Sequence, residues 1–155
     1  MKKIKTIYWD ANCHIALLNK EATTEPQYLA ALEETYEDML FGKVHILTCT
    51  LILAEVFQEE QHRNICEKLI GCPHYSMIET VSSIYALAGE LRLKCAKVNQ
   101  KLKTPDAIHI ASGSLAKADE IWTTDEQLIN KGKAELLVDT PIVYPYIQEP
   151  RLVFE

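Results

Sequence analysis

Glycine and proline are scarce in this chain, five and six among 155 residues, and no segment is of low complexity. What remains is a globular composition, 48% hydrophobic and 25% charged. Long apolar runs are also missing. None approaches the roughly 20 residues that cross a bilayer. The N-terminus, MKKIKTIYWD, starts basic but meets an acid at position 10, too early for the apolar region of a signal peptide. A soluble, cytoplasmic protein with no membrane partner is expected. The five cysteines are odd in number and no CxxC occurs, which argues against a disulfide framework. Cys66, Cys72 and His74 are three loosely spaced candidates for zinc, short of the usual paired-ligand pattern. Reduced, mostly buried thiols are the plainer reading. Excess basic charge is absent, the formal net charge being −6. A broad basic face for duplex binding is therefore not expected. Nucleic acid stays open, because clustered acids can hold a metal ion and the ion can meet phosphate. There is no Gly-rich phosphate loop and no G-x-S-x-G elbow.

What is present is an alternation of strand-like and helix-like segments. The length suggests one domain, residues 1–144, followed by a tail at 145–155 with aromatic anchors but no period. KIKTIYW (3–9) reads as a strand, and NCHIALLN (12–19) as a helix capped by Asn12. Residues 26–41 begin with Pro26, carry Leu29, Leu32, Tyr36, Met39 and Leu40 at helical spacing, and end at Gly42. KVHILT (43–48) is rich in β-formers. A single helix is expected over 50–71, with Leu51, Ala54, Phe57, Ile65 and Leu69 on its apolar stripe. A short strand at 74–79 precedes a helix over 81–98 whose stripe is Ile84, Leu87, Ala88, Leu91 and Cys95. Thr104 at the N-cap and Pro105 at N1 start another helix, with Ala107, Ile108, Ala111 and Leu115 on one face. EIWT (120–123) and part of 134–144 supply further strands. This order predicts an α/β fold with a mainly parallel sheet covered on both faces. Sites in such folds lie outside the carboxyl ends of the strands, near a topological switch point.

That rule selects Asp10 and Asp125, each just past a strand. Glu55 and Asp106 occupy the first turns of helices and can reach the same rim. Each has an ordinary reading too. Asp10 and Asp125 can be helix caps, Glu55 can be one more exposed acid beside Glu59 and Glu60, and Asp106 can complement a helix dipole. Four crowded carboxylates would repel, so some must protonate or bind a cation. Mg²⁺ or Mn²⁺, hard ions that prefer oxygen, would resolve the conflict. Such an ion lowers the pKa of a bound water and neutralises a phosphodiester oxygen, while a spare carboxylate positions the water.

Four motifs resemble the PIN-domain family, above all the small ribonuclease toxins of toxin–antitoxin pairs. They are YWDANCHIALL (8–18), TLILAEVF (50–57), TPDAIHIAS (104–112) and WTTDEQL (122–128), in the family's order over residues 4 to 138. DAIHIA is the most specific. The resemblance implies a three-layer α/β/α sandwich and an acidic Mg²⁺ or Mn²⁺ site that cleaves RNA. It places Asp10, Glu55, Asp106 and Asp125 at the metal and in catalysis, with Asn12 and Thr123 in supporting positions. It further implies a small antitoxin protein that inserts a basic side chain near the carboxylates, and a homodimer. Thr124 departs from a frequent Asn, residues 21–41 are long and polar at their start, and the tail after Tyr144 lies beyond the family core.

Other residues admit two readings. His109 stands one helical step from Asp106 and can face the site or simply pack. His14 has the same choice. His62 and Arg63 read as a solvated face. The basic stretch Arg92, Lys94, Lys97, Lys101 and Lys103 is either a soluble helix face or a guide for phosphate. Tyr8 and Trp122 read as core. Two other functions compete with the ribonuclease: a PIN-like module that binds RNA or protein without cutting, and another metal-dependent phosphohydrolase. The haloacid-dehalogenase phosphatases usually carry a second Asp two residues after the first, where this chain has Asn12.

Overall fold

A computed structural model describes residues 3–19, 24–56 and 59–148. Within these residues five strands form one parallel sheet: β1 (Lys5–Trp9), β2 (Val44–Cys49), β3 (Tyr75–Ile78), β4 (Glu120–Trp122) and β5 (Ile142–Val143), in the order β3-β2-β1-β4-β5. Among the described residues seven helices connect and cover them: α1 (Ala11–Asn19), α2 (Pro26–Leu40), α3 (Ile52–Val56), α4 (Glu60–Ile70), α5 (Ser82–Ala96), α6 (Thr104–Leu115) and α7 (Glu126–Lys133). None is long and apolar enough to cross a membrane.

Side chains alternate across the strands, so one sheet serves two cores. Tyr8 and Ile121 point to the face packed by Ile84, Leu91, Ile108, Ile110 and Leu128 of α5, α6 and α7. Ile7, Trp9 and Trp122 point the other way, onto Cys13, Ala16, Leu32 and Met39 of α1 and α2 and Leu69 of α4. The two tryptophans stack at 6.5 Å and 17° across the β1–β4 pair, an aromatic contact worth about 0.5–1.5 kcal/mol beyond its buried area. The three-layer α/β/α architecture expected from the sequence is the one found, and every strand pairing among the described residues is parallel.

The local differences have local causes. The helix expected over 50–71 is two helices, α3 and α4. Its buried stripe in α4 is His62, Cys66 and Leu69, while Ala54 is exposed and Ile65 half-buried. Phe57 lies outside the described residues. Asp10, not Asn12, caps α1: its Oδ1 accepts the Cys13 N–H at 3.0 Å. α6 begins at Thr104 itself, with Lys103 before it and no side-chain cap, so Pro105 is one position deeper than expected. Boundary shifts of one residue are usual. Leu115 is exposed, yet every residue from 107 to 113 is buried, because α6 packs against β1, β4 and α5 at once. Its close approach requires Gly113, where a Cβ would lie 2.8 Å from the Ile121 side chain and 3.1 Å from the Tyr8 ring. Residues 144–148 run past α2, β1 and β4. Tyr144 stacks on Tyr28 at 4.7 Å, and the Tyr146 hydroxyl donates to Glu120, beside Lys5.

Candidate functional site

The chain runs outward through β1, β2 and β3, then returns to lay β4 on the other side of β1. The switch point is therefore between β1 and β4, and a crevice there is the favoured site of such sheets. Asp10 is the first residue past β1, and Thr123–Asp125 follow β4 directly. Asp106, in the first turn of α6, joins them.

Asp10 is almost fully buried. Burial pushes its carboxyl above the ordinary range, against the Thr123 hydroxyl that donates to it, the charge of His109 and the Cys13 N–H. Thr123, itself buried, also accepts the Asp125 N–H at 3.1 Å, which links the two loops. Asp125 caps α7, its Oδ1 accepting the Gln127 N–H at 2.9 Å. Asp106 is raised to about 6, first by burial, then by the charges of Asp125 and Asp10, with His109 and Lys103 pulling the other way. Three aspartates from three segments thus act on one another. Asn12 is exposed on α1.

Glu55 reaches the group differently. Its Oε1 accepts the Nε2–H of His109 at 2.5 Å. The other ring nitrogen of His109 meets the Tyr8 hydroxyl at 2.7 Å and the Cys49 sulfur at 3.7 Å. Burial opposes charge on this imidazole, but the hydrogen bonds and charges of Cys49 and Glu55 outweigh it and raise it to about 10. Burial likewise raises Cys49, and the same histidine overcomes it, drawing the thiol down to about 7. His109 thus ties Glu55 to Tyr8 and Cys49, and charge on it favours ionisation of Asp10 and Asp106. Sequence reasoning left its role open and read Tyr8 as core only. The signal available was the three-residue step from Asp106.

His14 takes a structural place. Its Nδ1–H donates to the Asp10 carbonyl at 2.8 Å, so its Nε2 is free to accept from the Tyr75 hydroxyl at 2.8 Å. Burial holds this ring neutral, at about 4. His62 is buried, not on a solvated face.

The donor set suits a hard divalent ion in kind: carboxylate oxygens whose mutual repulsion a cation would relieve. It does not form a closed cage. Among the described residues no group of three or more His, Cys, Asp or Glu side chains is arranged to hold an ion.

No protein-family model and no curated protein matches this sequence. Solved structures do match in shape. VapBC2 from Rickettsia felis, bound to a DNA fragment from its promoter, aligns over 90% of this chain and 98% of its own, at 14% identity and a TM-score of 0.66. DNA-bound VapBC from Salmonella typhimurium aligns over 92% and 98%, at 14% identity and 0.60. A toxin–antitoxin complex from Klebsiella pneumoniae aligns over 92% and 99%, at 16% identity and 0.59. At such identities the likeness is one of fold, and this chain has the fold of those toxin–antitoxin structures.

Proposed function

We propose that the chain is a Mg²⁺- or Mn²⁺-dependent endoribonuclease of the PIN type and the toxin of a toxin–antitoxin pair. The observation that carries this reading is the placement of Asp10, Asp106 and Asp125 together at the switch point, where burial first, and then the charges of Asp125 and Asp10, raise Asp106 to about 6. Carboxylates whose charges act on one another resist ionising together unless something cationic enters. The shared fold with toxin–antitoxin complexes supports the biological setting, and a cytoplasmic location is part of this proposal.

In this reading Asp10, Asp106 and Asp125 hold the ion, and Glu55 completes the set or orients the attacking water. A bound ion supplies charge neutralisation at the phosphodiester and a water that is easier to deprotonate. Thr123 fixes the Asp10 carboxylate through its hydroxyl, and Asn12 is the exposed polar neighbour on the first turn of α1. His109 keeps Glu55 in a defined position. Water is added across one phosphorus–oxygen bond of RNA. A small antitoxin with a basic side chain would neutralise the same carboxylates, and the toxin would act as a homodimer.

Purified protein with Mn²⁺ or Mg²⁺ is expected to cut RNA, and Asp10→Asn to lose cutting by at least about 10²-fold, the usual scale for removing a key electrostatic group. Equal cutting by the variant would sink the assignment. The open arrangement of the acids favours one rival, a module that binds RNA without cleaving it. Calorimetric titration with Mn²⁺ separates the two, since the binding module has no need of the ion. Co-expression with a neighbouring small reading frame, then pull-down, tests the antitoxin.

A further inference from the structure

Beside the aspartates, α7 and the α5–α6 connection enclose an open groove of about 510 Å³. Gln127, Asn130, Lys131 and Ala134 form one wall at the i, i+3, i+4, i+7 spacing of a single helix face. Gln100 and Lys101 form the other. The groove opens beside a smaller cleft of about 60 Å³ that holds Asp106 and Asp125, and Lys101, Gln127 and Lys131 line both. The chain has 22 acidic residues against 16 lysines and arginines, yet among the described residues no acid lines the groove.

Lys131 is the unusual member. It is 7% exposed, but among the described residues its ammonium has no hydrogen bond or ion pair. Its stem is buried and its charged end meets the groove and the cleft, where no carboxylate among the described residues pairs with it, so it is open to an anion. We propose that this groove is the seat of the RNA backbone, with a phosphate next to the scissile one held by Lys131 and Lys101 and by the side-chain amides of Gln100, Gln127 and Asn130. The groove then supplies the positive face that the acidic chain as a whole lacks, and it leads the strand to Asp106 and Asp125. Neutral amides around the lysines suit a sequence-independent hold on phosphate oxygens. This inference rests on the ribonuclease reading for its substrate, not for its geometry.

Fluorescence anisotropy with a labelled single-stranded RNA of mixed sequence, in EDTA, tests binding apart from cutting. Lys131→Met keeps the buried stem and is expected to weaken binding roughly tenfold, the scale of one charge-assisted hydrogen bond. The slope of log affinity against log salt should become shallower by about 0.7, one phosphate contact on a single strand. Lys131→Arg should retain binding. Gln127→Glu, an exposed change on the same wall, should weaken it too and serves if Lys131→Met fails to fold. Asp10→Asn should bind RNA at least as well as the wild type. Wild-type affinity and salt slope in both groove variants would overturn the proposal, as would a wild-type protein that binds no RNA. Loss of antitoxin capture in Lys131→Met with RNA binding unchanged would assign the groove to the protein partner and overturn it as well. Full cutting by Asp10→Asn would instead refute the catalytic reading and leave the binding result standing.

Discussion

Asp10 caps α1 through one carboxyl oxygen and also carries the first charge of the site, a charge that burial makes costly. Asp106 bears the same conflict with more solvent around it. Replacing it by Asn removes one of three mutually repelling charges. The metal-free protein should therefore gain on the order of 1 kcal/mol, discounted because the group is only half-buried, or roughly 2–4 °C in melting temperature. A melting curve of Asp106→Asn without metal checks this, and a lower midpoint would contradict the repulsion. His14 gives the opposite sign. Its folded value, about 4, lies below the ordinary 6.5, so the unfolded chain takes the proton first. Stability falls as pH drops from 6.5 toward 4, by up to about 3 kcal/mol. Asp106 and Asp10, raised in the fold, oppose this: they add stability as pH falls through their folded values. Comparison with His14→Asn, which keeps a donor for the Asp10 carbonyl, isolates the histidine. Urea titrations should show a smaller acid loss in the variant, and parallel pH profiles would remove His14 from the account.

α6 ties the site to the core. Seven consecutive buried residues, including His109, hold it against sheet and α5, and Asp106 is fixed at its head by that packing. Gly113→Ala places a methyl group against Ile121 and Tyr8, a side chain whose ring and hydroxyl both serve the helix. We expect a loss of about 1–3 kcal/mol and reduced RNA cutting as Asp106 shifts. A melting temperature unchanged within experimental error would show that the contact relaxes freely. The helix was legible in the sequence from its Thr-Pro start and its apolar spacing. Its burial on all sides was not, because periodicity reports one face and α6 has three neighbours. The division between α3 and α4 was likewise hidden, since the apolar stripe of 50–71 continues in sequence without a Gly or Pro to interrupt it.

Across the whole molecule, the β3-β2-β1-β4-β5 order explains which residues could be found in advance. An acid just past a strand announces itself, because the strand is read from its own residues and the rim follows from the fold class. Asp10 and Asp125 are of this kind. His109, Tyr8 and Lys131 are not: their environments are made by partners 30 to over 100 residues away, as with the Tyr8–His109 bond. Lys131 in particular reads as a common cation in the last turn of a helix, where the dipole favours it. The same topology orders events in time. β1 pairs with β4 through Ile7 and Glu120, so the first acid waits beside an empty edge until the chain has been made through Trp122. At the usual 5–20 residues per second, the delay between the synthesis of Asp10 and that of Asp125 is on the order of ten seconds. The ribosome has read its message past codon 125 before the crevice that would cut RNA can exist.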